Sequence, residues 1–214
     1  WHDGRPITPE DVVWTFNTLK EKGAPYYRFY YANVTEALDM GGGVVRFNFD
    51  QAGNRELPHI MGQLTILPKH WWAERDFEEG GLEPLLGSGP YRIGAFEPGR
   101  FIEYERVEDY WGSNVNVNVG QNNFDRVRYE VFLDSGAALD AFRGGLIDYR
   151  EEYSASNWAE RYDFGAVRDG RVQREEVALE GPKRVQYFAM NLRRPKFQDR
   201  RTRRALALAF DFEW

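Results

Sequence analysis

The sequence predicts an α+β fold, with mixed sheets in the middle of the chain and helices flanking them at both ends. Three observations predict it. Apolar residues recur at helical spacing near both ends: Val12, Val13, Phe16 and Leu19 in one run, Leu206, Ala207 and Phe210 in the other. Between them, several segments alternate apolar and polar residues with the period of two that a pleated strand requires. Gly/Pro-rich stretches separate these regimes, most visibly residues 80–90.

Taken in order, Thr8-Pro9-Glu10-Asp11 reads as a helix start. Thr8 can cap, Pro9 suits the first helical position, and Asp11 sits where a capping-box acid belongs. Gly23 ends that helix. Gly41-Gly42-Gly43 is a break, and residues 44–50 follow as a strand with Val45, Phe47 and Phe49 on one face. Short helices are expected over 55–61 and from Leu67-Pro68 through Arg75. After the crossing at 80–90, strands over 91–96 and 101–107 flank a Glu97-Pro98-Gly99-Arg100 turn. Gly87 or Gly89 is expected at φ > 0, with Pro90 beginning the sheet. Residues 126–132 alternate again, and Ser135 is expected to cap a helix over 137–142 that ends at Gly144-Gly145. Residues 146–149 read as a short buried strand, with further strands expected over 171–179 and 184–191. Asp199 caps a last helix over 200–210, whose inner face is Leu206, Ala207 and Phe210.

Composition narrows the function classes. The chain has 214 residues, 42% hydrophobic and 29% charged, a balance that folds. Its 28 basic and 34 acidic residues leave a net charge of −6, which argues against a general nucleic-acid coat. No apolar run approaches the ~20 residues of a membrane span. Cysteine is absent, which removes disulfides, thiolate catalysis and Cys-ligated zinc. The 7 Trp, 12 Tyr and 15 Phe imply a sizeable core, a ring-lined binding surface, or both. The chain starts without Met and runs straight into a helix start, so it reads as an internal piece of a longer protein.

Catalytic motifs fail on inspection. His2, His59 and His70 include no pair at the i, i+4 spacing of a helical metal site. Gly87-Ser88-Gly89 lacks the third glycine of a dinucleotide loop, because position 92 is Arg92. It also lacks the glycine two residues before the serine of a nucleophile elbow, because that position is Leu86. Acidic pairs occur at Glu78-Glu79, Glu151-Glu152 and Glu175-Glu176. Most read as solvated carboxylates, but Glu151-Glu152-Tyr153 follows a double glycine, where a loop can face a cleft. The Arg193–Arg204 cluster reads as the outer face of the last helix rather than as a nucleic-acid site.

Several stretches together resemble one family. They are Trp1 to Phe16 (WHDGRPITPEDVVWTF), Gly87 to Ile93 (GSGPYRI), Tyr104-Glu105-Arg106 leading to Tyr110-Trp111-Gly112, Ala141 to Asp148 (AFRGGLID), and Asn191 to Pro195 continuing to Ala209-Phe210-Asp211. In order and spacing they look like the extracellular solute-binding protein family 5, the receptors of ABC importers, and within it most like the oligopeptide/microcin C branch. The resemblance implies a fragment of a two-lobed, type II-like periplasmic binding protein without enzymatic activity or cofactor. It implies that residues 1–88 are part of the extra subdomain of the first lobe, 89–183 its sheet core, and 184–214 the hinge crossing and start of the second lobe. The ligand it implies is an oligopeptide or peptide-like compound captured in the periplasm and passed to permease subunits. Other family solutes are nickel complexes, haem, opines and sugars. Ligand-binding positions carried over by the resemblance are Glu151, Glu152, Tyr153, Gln186 and Tyr187. A carboxylate-dependent hydrolase using Glu151 or Glu152 is the competing enzyme reading, and it lacks a partner motif. An isolated chain with most of the second lobe absent is expected to bind peptide poorly and to associate through Leu206, Leu208 and Phe210.

Overall fold

Thr8 starts the first helix as its position predicts. In the computed structural model, which describes residues 1–178, 181 and 187–211, the Thr8 side chain accepts from the Asp11 amide and Asp11 accepts from the Thr8 amide. This closed box, with Pro9 at the first turn, begins helix α1, Pro9–Lys22. Gly23 ends it by donating to the carbonyls of Leu19 and Thr18. A Cβ at Gly23 would stand 2.3 Å from the Leu19 oxygen, so glycine is needed there for space rather than for φ.

α1 turns its apolar stripe onto a core of Phe16, Leu19, Tyr31, Val34, Ala37, Leu57, Met61 and Leu64. The elements that deliver those residues follow in order: α2 (Pro25–Tyr30), β1 (Val34–Asp39), β2 (Val45–Phe49), α3 (Leu57–Gly62) and α4 (Lys69–Trp72). β1 and β2 form an antiparallel hairpin with Ala37 opposite Phe47. Its tip is Gly41-Gly42-Gly43, all three at positive φ. Thr15, on α1 itself, is fully buried, and its hydroxyl is satisfied by the Leu67 amide and carbonyl.

Beyond the crossing come β3 (Tyr91–Glu97), β4 (Phe101–Arg106) and β5 (Arg126–Glu130), an antiparallel sheet in the order β3-β4-β5. Gly99 sits at φ +77° in the β3–β4 turn, and the turn closes with the Arg100 amide on the Glu97 carbonyl at 2.9 Å. Pro90 precedes the sheet rather than beginning it, but its carbonyl accepts from the Val107 amide at 2.8 Å. Neither Gly87 nor Gly89 has a positive φ, contrary to expectation. What the crossing demands at Gly87 is room, because a Cβ there would lie 3.3 Å from the His2 ring.

α5 (Ser135–Arg143) is capped by Asp134, not by Ser135; the aspartate accepts from the Ala137 amide at 2.9 Å. Leu139 and Ala141 are buried. The buried strand expected at 146–149 is absent: the segment is irregular, with Leu146 76% and Tyr149 75% exposed. A strand needs a neighbour to complete its hydrogen bonds, and no described segment supplies one. The same reason applies to residues 171–178, which form no strand; Leu179 and residues 184–186 lie outside the described residues.

The chain divides into two compact units, Trp1–Glu151 and Glu152–Trp214. The second carries α6 (Ala155–Glu160), α7 (Gly165–Arg168), α8 (Pro195–Gln198) and α9 (Arg200–Leu208). Ser154 caps α6, and Tyr162 and Phe164 are buried beside it. Asp199 caps α9 as predicted. Arg203 joins α9 to α8 by donating to the carbonyls of Phe197 and Gln198. The inner face expected for α9 is not covered among the described residues: Leu206 and Phe210 are 47% and 61% exposed, Ala207 is exposed as well, and so is neighbouring Leu208.

Candidate functional site

The loop after α5 carries three of the candidate residues, Glu151, Glu152 and Tyr153, because the helix ends at Gly144-Gly145. Gly145 turns the chain at φ +76°, and the Leu146 amide caps back onto the Ala141 carbonyl. Glu151 closes the first compact unit, exposed, and accepts from the Tyr149 hydroxyl at 3.1 Å. That hydrogen bond and the adjacent negative charge hold the Tyr149 phenol above its ordinary pKa, so it stays a neutral donor.

Glu152, Tyr153 and Tyr187 belong to the second unit. Glu152 is half-buried and uses its carboxylate locally. One oxygen accepts from the Ser154 amide at 2.8 Å and the other from the Tyr162 hydroxyl at 3.0 Å. Its geometry is that of a residue that shapes the entry to α6. Tyr153 and Tyr187 are 87% and 78% exposed. Gln186 lies outside the described residues. Taken singly, an exposed carboxylate can accept from a cationic or amide donor, and an exposed aromatic ring can stack.

Residue patterns alone missed one concavity. Tyr26, Tyr27, Tyr30 and Tyr31 line an open pocket of about 180 Å³ with Leu19, Gln63 and Thr65. The i, i+4 pairs stack, Tyr26 on Tyr30 at 5.0 Å and Tyr27 on Tyr31 at 6.0 Å, and the Tyr30 hydroxyl donates to Gln63 Oε1 at 3.0 Å. Loss of solvation, reinforced by neighbouring phenols, raises the pKa of Tyr26 and Tyr31. The signal was visible as the run Pro25-Tyr26-Tyr27-Arg28-Phe29-Tyr30-Tyr31.

Two of the three histidines, His2 and His70, act as hydrogen-bonding groups. His70 Nε2 lies 2.8 Å from Asp3 Oδ2, and His2 Nε2 lies 2.9 Å from the Gly89 carbonyl. Among the described residues, no group of three or more His, Asp and Glu side chains could hold a metal ion. No described helix is long and apolar enough to cross a membrane.

Comparison with known proteins gives a consistent pattern. Residues 1–214 match the model described as bacterial extracellular solute-binding proteins, family 5 Middle. The chain is 48% identical to the "Probable peptide-binding protein YejA" of Agrobacterium fabrum, covering all of this chain and 36% of that protein. It is 39% identical to the "Peptidoglycan-binding protein YepA" of the same organism, again covering all of this chain and 36% of the relative. The oligopeptide-binding protein AppA from Bacillus subtilis, solved in complex with a nonapeptide, superposes with a TM-score of 0.60 at 23% identity, over 76% of this chain and 32% of that one. The chain thus spans about a third of the length of the curated relatives it matches.

Proposed function

Since the chain belongs to the bacterial extracellular solute-binding proteins of family 5, we propose that it is part of the substrate-binding component of an ABC importer. The full-length protein captures oligopeptides or peptide-like compounds in the periplasm and delivers them to the permease subunits. It binds its solute and does not turn it over. The observation that carries this reading is the 48% identity, over the whole chain, to a relative named for peptide binding. In the full-length receptor, residues 1–88 are part of the extra subdomain of the first lobe, 89–183 the sheet core, and 184–214 the hinge crossing and beginning of the second lobe.

Within this reading Glu151, Tyr153, Gln186 and Tyr187 contact the ligand. A carboxylate such as that of Glu151 suits a cationic group, and aromatic side chains such as Tyr153 and Tyr187, both solvent-exposed, suit side chains of varied shape. Glu152 acts indirectly by holding the loop through Ser154 and Tyr162. A narrower reading, a peptide derived from the cell wall, is favoured by the relative named for peptidoglycan binding.

Titration calorimetry of the full-length protein against a peptide series and a cell-wall peptide tests both. Glu151→Gln or Tyr153→Ala is expected to weaken binding by ~1–2 kcal/mol, the loss of a charged hydrogen bond or a stacking ring. Unchanged affinity in both variants would remove these residues from the site. Failure of every peptide to bind would remove the peptide reading itself.

A further inference from the structure

Three successive side chains at positions 1–3 reach three different elements. The Trp1 indole donates to Asp11 in α1 at 3.4 Å, Asp3 meets His70 in α4 at 2.8 Å, and His2 reaches the Gly87-Ser88-Gly89 loop. His2 holds that loop twice. Its amide donates to the Gly87 carbonyl at 2.9 Å, and its ring Nε2 lies 2.9 Å from the Gly89 carbonyl. The carbonyl between them, Ser88, accepts from the Trp111 indole at 2.8 Å. Three consecutive carbonyls are therefore each taken by a protein donor, where an ordinary surface loop would offer them to water.

The loop is the covalent route from the helical part of the first unit into the sheet. β3 begins at Tyr91, two residues after Gly89. Whatever fixes the loop fixes where and at what angle the sheet begins. Gly87 completes the fit, because a side chain there would press on the His2 ring. A carbonyl oxygen can only accept, so His2 Nε2 must carry the proton.

We propose that His2 is a positioning residue that, together with Trp111, locks the Gly87-Ser88-Gly89 loop and sets the angle between the helical part of the first unit and the sheet β3–β5. The device needs no ligand, so its test is independent of the solute-receptor reading.

The sequence contains no cysteine, so thiols introduced at Asn17 on α1 and Arg126 on β5, both exposed, are the only labelling positions. Double electron–electron resonance between spin labels at these sites reads the angle as a distance distribution. A narrow distribution is expected in the otherwise unaltered chain. His2→Ala and Trp111→Phe should each broaden and shift it, while His2→Gln, whose amide nitrogen can donate from a similar position, should restore it. Nitrogen NMR of the unsubstituted chain should show His2 as the Nε2–H tautomer. A broad parent distribution, an unchanged width in the variants, or an Nδ1–H tautomer would overturn the proposal. If His2→Ala loses its far-ultraviolet helix signal, Trp111→Phe and the tautomer decide.

Discussion

The helical part of the first unit and the second unit begin their helices with equal care but bury very different amounts. Thr8 caps α1 and Asp199 caps α9, each through a side-chain oxygen on a backbone amide. Around α1, eight apolar residues are buried in one cluster. In the second unit, the buried apolar residues among those described are Tyr162 and Phe164. Burying one large side chain is worth roughly 1.5–3 kcal/mol, whereas a cap is worth about 1 kcal/mol. The contrast teaches that capping decides where a helix starts and burial decides whether it persists. Three ion pairs described in the second unit do not make up the difference. Asp163 with Arg168, Asp169 with Arg171 and Asp199 with Arg201 are exposed pairs, each worth little in water.

Four substitutions or conditions sharpen or break this comparison; the largest effect is expected in the core. Phe16→Ala should lower the stability of the first unit by about 3–5 kcal/mol, read by urea unfolding. A loss below about 1 kcal/mol would mean that the cluster is not the stabilising centre it resembles.

Next comes Asp11, which is 5% exposed. Its two oxygens accept from the Trp1 indole, from the Thr8 amide and hydroxyl, and from the Lys69 amide. Asp11→Asn turns one of those acceptors into a donor facing donors, and should cost about 2 kcal/mol in the same assay. An unchanged unfolding midpoint would show that these bonds exchange freely with water.

In the second unit, Tyr162→Phe removes only the hydroxyl on Glu152. About 1 kcal/mol is expected, seen as faster hydrogen exchange in residues 154–162. A loss as large as that from Phe16→Ala would erase the contrast between the two regions.

The smallest effect concerns pH at α9. The Arg201 side chain, followed by its backbone amide, lowers the pKa of Asp199 below the ordinary 3.8. A carboxylate with a depressed folded pKa stabilises above its unfolded value, and that stabilisation is lost as pH falls through the folded value. NMR shifts of residues 200–204 should therefore lose helical character only below the ordinary carboxylate range. Loss at mildly acidic pH would point to another group.

These differences follow what could be read in the residues. The α1 box, the β3–β4 turn and the α9 cap were legible because each rests on a few neighbouring residues. β1 was not, since a bulge between Val34 and Glu36 breaks the period of two that marks a strand. The expected strand at 146–149 failed for the opposite reason: its residues are apolar enough, but among the described residues no partner strand meets them. Of the candidate site, the sequence marked an irregular segment after the double glycine, in which Glu151 and Tyr153 are exposed, while the local bonds of Glu152 involve Tyr162, ten residues on. That pairing depends on how α6 folds back, which a residue pattern does not encode.

The tip of the β1–β2 hairpin carries a consequence of its own. Gly41, Gly42 and Gly43 sit at φ +76°, +62° and +82°, and a Cβ on any of them would meet nothing within 4 Å. Steric crowding by neighbours is therefore no obstacle to an L side chain there; the whole penalty lies in chirality, in the backbone's own refusal of left-handed angles. A mirror-image residue reverses that refusal. D-alanine at Gly42, introduced by chemical ligation, would find the hairpin's geometry native to its handedness, and would restrict the unfolded chain where glycine leaves it free. The same three residues that make the turn possible for a ribosomal chain thus mark the place where a synthetic one could hold it more firmly.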